Sequence, residues 1–288
     1  MKDSDHLSGL DDGRTRPGVA WADGAAPAAW QHDRFDVLGV PVSAIGPADG
    51  VRIVEAFVRH RVKTFVCVTG VHGVIECRDD EALLSIHRRA GMVTPDGMPL
   101  VWWARRNGLA HVSRVYGPSL MRALCARAGH NHLRHFFYGG GAGVAADLRL
   151  ALIRETPGLN VVGTYEPPFR PLREAEAQAM VEAINRAAPD IVWVGLGTPK
   201  QERWMNAYRD RLEAPVLIGV GAAFDFLSGR QVQAPQILQR SGLEWAYRLC
   251  REPRRLGRRY LNIVPRFLTL AIVHHVRGDR SGGGPRGG

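Results

Sequence analysis

Several features that would identify common classes of protein are missing from this 288-residue chain. Its four cysteines, Cys67, Cys77, Cys125 and Cys250, lie far apart, with no CxxC pair and no histidine at zinc-ligand spacing. Scattered cysteines of this kind predict buried free thiols in a reducing cytoplasm and argue against a disulfide framework. The chain does not open with a basic segment leading into an apolar one, so no signal peptide is expected.

Long hydrophobic runs are also missing. The longest, Phe267 to Val273, includes a threonine and falls far short of the ~20 residues that span a bilayer. If this protein meets a membrane, we expect it to lie on the surface. No Asp-x-Asp motif follows an apolar strand, and no His, Cys and Asp residues share the spacing of metal ligands. Neither a metal site nor a cofactor is therefore expected.

Positive charge is the main excess in the composition. The formal net charge is +10, and +7 of it lies between Arg248 and Arg280, where nine arginines stand against only Glu252 and Asp279. A local excess of this size predicts an acidic partner, such as lipid headgroups, nucleic acid or a diphosphate.

The arginine-rich segment also contains regularly placed aromatic and aliphatic residues, an arrangement that suits an amphipathic helix lying on anionic lipid. Pro253, Gly257 and Pro265 are expected to break this helix into short pieces. A solvated basic helix that packs its apolar stripe on the domain is the alternative, and the stripe would also suit a subunit contact in a homo-oligomer. Nucleic acid is disfavoured because no recognisable binding motif is present.

By composition the chain divides into four segments. Residues 1–33 and 278–288 are rich in small and polar residues without periodicity, and they predict a disordered leader and a disordered tail. Strands alternate with helices over residues 34–245, and residues 246–277 form the basic appendage. Such alternation predicts an α/β fold with a doubly wound, mostly parallel, Rossmann-like sheet.

Two glycine-ended strands in residues 189–230 point to a binding site. The runs IVWVGLG and VLIGVGAAF are apolar and β-branched, and each ends in glycines followed by polar residues. In open α/β sheets, ligands sit in the crevice at such strand ends. We expect two neighbouring rims of this crevice. One is lined by Gly195, Gly197, Thr198, Pro199, Lys200, Gln201 and Glu202, and the next by Gly219, Gly221, Asp225, Ser228 and Gly229.

A glycine-rich turn, Gly139 to Gly143, lies between the expected strand HFFY and a helix. Residues Gly141 to Ala146 match GxGxxG/A, and the acidic Glu166 lies near the next strand end. A site for NAD, a site for another nucleotide diphosphate and a purely structural turn all stay open. NAD is the least favoured, because this motif normally follows the first strand of its fold.

Thr69 and Asp96 are each expected at the end of a strand, at the same edge of the sheet as the glycine turns. A carboxylate placed there, beside a nucleotide pocket, would suit a general base acting on an incoming hydroxyl. The alternative is that Asp96 is a turn residue or the N-cap of the helix MPLVWWARR. The sequence pattern alone does not choose between these interpretations.

Several longer segments have specific spacing, among them TPDGMPLVWWARR, RVYGPSLM, PDIVWVGLGTPKQERWM and GLEWAYRLCREPRRLGRRY. Together they resemble the WecG/TagA/CpsF glycosyltransferases (glycosyltransferase family 26) from about Phe35 to Phe267. The resemblance implies inverting, metal-independent transfer of a hexose-type sugar from a UDP-sugar. The implied acceptor is a polyprenyl-diphosphate-linked saccharide at the inner face of the cytoplasmic membrane, in bacterial exopolysaccharide or cell-envelope polymer synthesis.

The same resemblance assigns roles to individual residues. It implies that Asp96 is the general base, that Thr69 contacts the sugar or acceptor, and that Arg114 binds the acceptor or a phosphate. Gly139 and Gly140, with Gln201 and Glu202, would frame the uridine nucleotide, and the same donor site would include Gly197, Lys200 and Asp225. The family's basic C-terminal appendage docks on the membrane and reaches into the site, and the arginines that match it, as acceptor- or phosphate-binding residues, are Arg251, Arg254, Arg255, Arg258 and Arg259.

One departure from the family pattern concerns the strand end at Thr69. Members often read T-x-N-A/P there, whereas this chain reads Thr69-Gly70-Val71-His72. His72 is expected to replace an amide that touches donor or acceptor, which leaves the donor sugar open. Two rival functions also stay open: an NAD-dependent oxidoreductase that uses the Gly141 to Ala146 turn, and a non-enzymatic basic membrane-binding module.

Overall fold

The computed structural model describes residues 30–127 and 132–281. Most of the predicted leader, and residues 282–288 of the predicted tail, lie outside these ranges. The described chain begins at Trp30, whose buried ring packs against Phe57 at 6.0 Å between centroids. The division into leader, domain, appendage and tail stays a prediction.

Eight strands are described, two in an antiparallel hairpin and six in one parallel sheet. In chain order they are β1 (Arg34–Val37), β2 (Val40–Ser43), β3 (Thr64–Thr69), β4 (Met92–Pro95), β5 (Arg134–Gly139), β6 (Asn160–Tyr165), β7 (Ile191–Gly195) and β8 (Val216–Gly219). The parallel sheet has the order β4-β3-β8-β7-β5-β6. The hairpin lies against the β4 edge, where the Val93 amide donates to the Ser43 hydroxyl at 3.0 Å.

Twelve helices are described in these ranges. They are α1 (Pro47–Arg59), α2 (Val71–Asp79), α3 (Glu81–Arg89), α4 (Met98–Arg106), α5 (Gly117–Cys125), α6 (Val144–Glu155), α7 (Glu174–Ala187), α8 (Lys200–Tyr208), α9 (Ala223–Leu227), α10 (Gln236–Arg240), α11 (Glu244–Arg251) and α12 (Pro253–Ser281). Two buried apolar clusters cover the two faces of the sheet. One contains residues of α1, α5, α6 and α9, and the other contains residues of α2, α3, α4, α7 and α8.

The parallel sheet with helices on both faces confirms the predicted doubly wound, Rossmann-like fold. Its strands are apolar nearly throughout because both faces are covered, as the runs TFVCVT and IVWVG show. Local signals set the helix starts. The Asp80 side chain, for example, accepts a hydrogen bond from the Leu83 amide at 3.1 Å and caps α3.

At the C-terminus, α12 runs unbroken through Gly257 and Pro265. The predicted breaks at Gly257 and Pro265 were therefore wrong, whereas the predicted break at Pro253 is present, because α11 ends at Arg251 and α12 begins at Pro253. Leu256, Ile263 and Phe267 recur on one side of α12 and are each buried on the domain. Their burial offsets the ~3 kcal/mol that an internal proline costs a helix. In the described part of the chain, no helix combines the length and the apolar character needed to cross a membrane.

The cysteine prediction was right for three of the four thiols. Cys67, Cys77 and Cys125 are buried and unpaired, whereas Cys250 is exposed on α11. The exposure of Cys250 follows from its place on a helix that has no fully buried residue.

Candidate active site

The carboxyl ends of β4, β3, β8, β7 and β5 lie side by side along one edge of the sheet. Thr69 pairs with Pro95 across β3 and β4, and Gly139 pairs with Gly195 across β5 and β7. Between these two pairs, Gly219 ends β8. The glycine-ended strands predicted to flank one another therefore do so, and the candidate base and the glycine turns share one rim.

Asp96 follows β4 directly, and backbone contacts with the end of β3 fix its position. Its amide donates to the carbonyl of Thr69 at 2.9 Å, and a Cβ on Gly70 would lie 2.6 Å from the Asp96 carbonyl oxygen. Helix α4 begins after Gly97, which is its N-cap, so Asp96 does not cap that helix. The carboxylate is 23% exposed, which leaves it partly accessible at the rim.

Asp96 belongs to a cluster of charged and polar side chains that includes Arg114, Tyr116, Glu244 and Arg248, here called the Asp96 cluster. The Arg114 guanidinium donates to Asp96 Oδ1 through Nε at 3.4 Å and through Nη2 at 3.3 Å. The same Nη2 donates to Glu244 Oε2 at 2.6 Å. The Tyr116 hydroxyl donates to Glu244 Oε1 at 3.3 Å, and the guanidinium stacks 4.1 Å over the Tyr116 ring.

The environment of Asp96 in this cluster raises its pKa. Burial raises the pKa of Asp96 to about 6, against the lowering effect of Arg114, while Glu244 raises it and Arg248 lowers it. A carboxyl with this pKa is mostly ionised at neutral pH but more basic than an ordinary aspartate. Burial also raises the pKa of Tyr116, which keeps its hydroxyl protonated.

Thr69 lies beneath the rim, with its hydroxyl already engaged. It is buried, and its Oγ1 lies 3.1 Å from His87 Nε2. His87 Nδ1 lies 3.0 Å from the Leu83 carbonyl, so Nδ1 carries the donated proton and Nε2 accepts from Thr69. Burial lowers the pKa of His87, which favours this neutral form. A contact between Thr69 and substrate stays a prediction.

The two glycine turns of the rim are packed against each other. Gly139 has a φ of +109°, and a Cβ there would lie 2.8 Å from the Gly195 carbonyl oxygen. Gly140 has a φ of +83°, with a Cβ position 2.9 Å from Val144 Cβ. Only glycine allows the backbone of one turn to come this close to its neighbours, because any side chain would overlap them. The surface at these strand ends is therefore formed by backbone atoms. The Phe224 ring packs on Gly195. The next residue, Asp225, is half-buried, and its contact with a nucleotide stays a prediction.

Gln201 and Glu202 support the neighbouring turn from below. Both side chains are buried. Gln201 Oε1 accepts from the Gly197 amide at 3.2 Å, and Glu202 Oε1 accepts from the Thr198 hydroxyl at 2.8 Å. Lys200 is exposed at the start of α8. These residues shape the crevice wall, and their direct contact with a nucleotide stays a prediction.

The turn that matches the dinucleotide pattern is closed by side chains. The Gly143 amide donates to Glu166 Oε2 at 3.0 Å. Arg230 donates to the Ala142 carbonyl at 2.6 Å and to Asp147 at 2.8 Å. Since β6 is the neighbour of β5, Glu166 lies beside the glycine turn as its position in the sequence indicated.

His72 lines a cavity of about 390 Å³ between α2, the turn before α8, and α12. The same cavity is lined by Thr198, Arg258 and Arg259. Three of the predicted phosphate- or acceptor-binding residues, His72, Arg258 and Arg259, therefore lie together. Burial and the charge of Arg259 lower the pKa of His72, whose Nε2 lies 3.1 Å from Glu76. Arg251 and Arg254 are exposed elsewhere on the C-terminal helices, and the side chain of Arg255 lies outside the described part.

Reasoning from the sequence missed Tyr116, Glu244 and Arg248. Glu244 and Arg248 belong to the GLEWAYRL segment, whose spacing was specific although no role was assigned to these two residues. Tyr116 follows Arg114 by two residues. Within residues 30–127 and 132–281, no group of three or more His, Cys, Asp or Glu side chains is placed to hold a metal ion.

The fold and the rim together are typical of α/β enzymes, whose ligand crevice lies at the strand ends, and a carboxylate with a raised pKa lies at that rim. A family model described as "Glycosyl transferase WecG/TagA/CpsF family" matches residues 35–281. The chain therefore belongs to this family of glycosyl transferases, which confirms the resemblance found in the sequence. This membership selects glycosyl transfer over both the oxidoreductase and the non-enzymatic interpretations.

A curated relative supports the same assignment. The chain is 34% identical over 194 residues to an N-acetylglucosaminyldiphosphoundecaprenol N-acetyl-beta-D-mannosaminyltransferase of Bacillus spizizenii (strain ATCC 23059 / NRRL B-14472 / W23). The aligned part covers 67% of this chain and 72% of the relative.

Proposed function

We propose that this protein is an inverting, metal-independent glycosyltransferase that moves a hexose-type sugar from a UDP-sugar to a polyprenyl-diphosphate-linked saccharide. The observation that carries the proposal is the Asp96 carboxylate, which is partly accessible and lies at the same rim as the glycine turns. Burial raises its pKa to about 6. The acceptor class is supported by the relative, whose name specifies an N-acetylglucosaminyl-diphosphoundecaprenol acceptor. We place the reaction in bacterial exopolysaccharide or cell-envelope polymer synthesis.

In the proposed reaction, Asp96 removes the proton from an acceptor hydroxyl. The hydroxyl oxygen forms a bond to the anomeric carbon as the bond from that carbon to the UDP oxygen breaks on the opposite face. A single displacement of this kind inverts the anomeric configuration. The proton ends on Asp96, and the negative charge ends on the departing diphosphate.

The departing diphosphate needs positive partners. Backbone amides of the glycine turn at residues 139–143 supply oriented dipoles, whereas the Gly197 amide is already bonded to Gln201 Oε1 and is not counted among them. Arg258 and Arg259 supply full positive charges in the cavity that His72 also lines. In this proposal amides and arginines, rather than a metal ion, stabilise the leaving group.

The acceptor lipid would place the reaction at the inner face of the cytoplasmic membrane, with the protein docked as a peripheral protein. Exposed Leu261, Leu268 and Ile272 lie along α12, which also carries most of the excess positive charge. An apolar stripe flanked by arginines suits insertion into an anionic headgroup layer.

The Asp96→Asn variant tests the proposal directly. We expect kcat to fall by about 10²–10⁴-fold, because the amide keeps the shape of the side chain but cannot accept the proton. The assay uses a panel of radiolabelled UDP-sugars, with UDP-N-acetylmannosamine first, and a lipid-linked N-acetylglucosamine acceptor. Asp210→Asn, at an exposed position on the surface, is the matched control and should keep the parental rate. Turnover by Asp96→Asn near that of the parent would contradict the assignment.

A further inference from the structure

The Arg114 guanidinium is shared unequally between two carboxylates. Its contact with Glu244 is 2.6 Å, whereas both contacts with Asp96 are 3.3–3.4 Å and go to the single oxygen Oδ1. A charge-assisted N–H···O bond is normally 2.7–2.9 Å, and a full arginine–carboxylate pair uses both oxygens. Arg114 is therefore bound tightly to Glu244 and only loosely to Asp96.

Glu244 is itself fixed from two sides. One of its oxygens accepts from Arg114 and the other from the Tyr116 hydroxyl. The Arg114 guanidinium also stacks on the Tyr116 ring, which restricts the orientation of the guanidinium plane. The side chains of Arg114 and Glu244 are only 16% and 14% exposed, so solvent screens this arrangement weakly.

The chemical consequence concerns Asp96. A carboxylate that forms a full pair with an arginine is stabilised in its charged form and becomes a poorer base. By holding Arg114 at a distance, and by adding its own negative charge, Glu244 opposes that effect. The pKa of Asp96 reflects this balance: burial raises it most, Arg114 lowers it, Glu244 raises it and Arg248 lowers it.

We propose that Glu244 is a positioning residue that draws the guanidinium of Arg114 away from full pairing with Asp96, and so keeps Asp96 competent to accept a proton. The proposal rests on the proposed function of Asp96 as general base. Four groups from two parts of the fold face Asp96: Arg114 and Tyr116 from the segment around the start of α5, and Glu244 and Arg248 from α11.

The Glu244→Gln variant of the full chain tests the inference in the transfer assay. Removing the Glu244 charge should let Arg114 pair fully with Asp96. The acid limb of the pH profile of kcat/KM should then move to lower pH, and kcat at pH 8 should fall by about 3- to 30-fold. KM for the UDP-sugar should stay within about twofold. Glu244→Asp keeps the charge, so it should keep the acid limb near its parental position.

Glu174→Gln is the matched control. It removes a carboxylate that lies 3.1 Å from Arg211 at a surface site, where Glu174 is 82% exposed, and it should leave the pH profile unchanged. If kcat of Glu244→Gln falls while its acid limb stays in place, Glu244 is merely structural and the proposal is overturned. A parental rate and pH profile in Glu244→Gln would also overturn it.

A second measurement does not depend on turnover. Carboxyl ¹³C NMR can titrate Asp96 in the parent and in Glu244→Gln, with Asp96→Asn used to assign the resonance. We expect a pKa near 6 in the parent, falling clearly in the variant. An unchanged pKa overturns the role of Glu244, whereas a lowered pKa in a protein that transfers no sugar would overturn the proposed function alone.

Discussion

At the scale of single residues, Glu202 illustrates what a buried carboxylate costs the fold. Its side chain is buried, and Oε2 has no hydrogen-bond partner among the described residues. Burial raises the pKa of Glu202 above its usual value. The stability that goes with its protonated form is therefore full below the unfolded-state pKa of ~4.3 and is lost as pH rises through the higher folded-state pKa.

Glu202→Gln should therefore stabilise the protein at pH 8 and change it little near pH 4. We expect a gain of about 1–3 kcal/mol at pH 8, because the neutral amide avoids the cost of burying a charge. Thermal unfolding without ligand at the two pH values measures it, with the exposed Glu213→Gln as control. A variant that is less stable than the parent at pH 8 would show that the charge of Glu202 is compensated.

The residues of the Asp96 cluster show how far sequence reasoning can reach. Asp96 and Thr69 were predicted at one rim because a strand end places its next residue at the sheet edge, whatever the rest of the fold does. Glu244 was missed because it lies 130 residues from Arg114 along the chain. Only the packing of α11 against the strand ends brings the two together, and no local pattern encodes that packing.

At the scale of elements, the contact between the ends of β5 and β7 depends on Gly139. An alanine there would adopt a φ of +109°, and its Cβ would overlap the Gly195 backbone at 2.8–3.1 Å. We expect Gly139→Ala to lose about 2–5 kcal/mol, combining backbone strain with the overlap, and to weaken UDP binding. Urea denaturation and UDP titration measure the two effects.

Gly158→Ala isolates the strain from the overlap. Gly158 has a similar φ of +90°, but no atom lies within 4 Å of a Cβ there. This variant should lose only the strain, about 1–2 kcal/mol, and should keep parental UDP binding. Equal losses in the two variants would mean that the contact between the strand ends contributes nothing.

Elements with strong local signals were predicted well, and those governed by tertiary packing were not. Helix α6 follows the glycine turn as predicted, because that turn fixes its start. For α12, the propensity of Pro265 predicted a break, but burial of Ile263 and Phe267 against the domain outweighs it. Propensity is a local quantity, whereas this burial depends on a surface formed by distant residues.

At the scale of the whole molecule, charge and apolar surface are concentrated on the same C-terminal helices. Most of the net +10 lies there. Leu256, Ile263 and Phe267 are used to pack α12 on the domain, and Leu261, Leu268 and Ile272 stay exposed. The solvated-helix interpretation accounts for the buried residues but leaves the exposed ones without a role. The proposed membrane docking would give the exposed residues a role as well.

Membrane docking is tested by replacing Leu261, Leu268 and Ile272 together with serine. Each is more than half exposed, so the fold should be unaffected. Loss of three inserted apolar side chains should weaken binding to anionic vesicles by about tenfold or more, since each buried CH₂ contributes ~0.8 kcal/mol. Vesicle sedimentation measures this, with Leu150→Ser, similarly exposed on α6, as control. Because the arginines are retained, the residual binding should fall steeply with salt. Undiminished binding by the triple variant would leave charge alone as the attraction and would exclude insertion of α12.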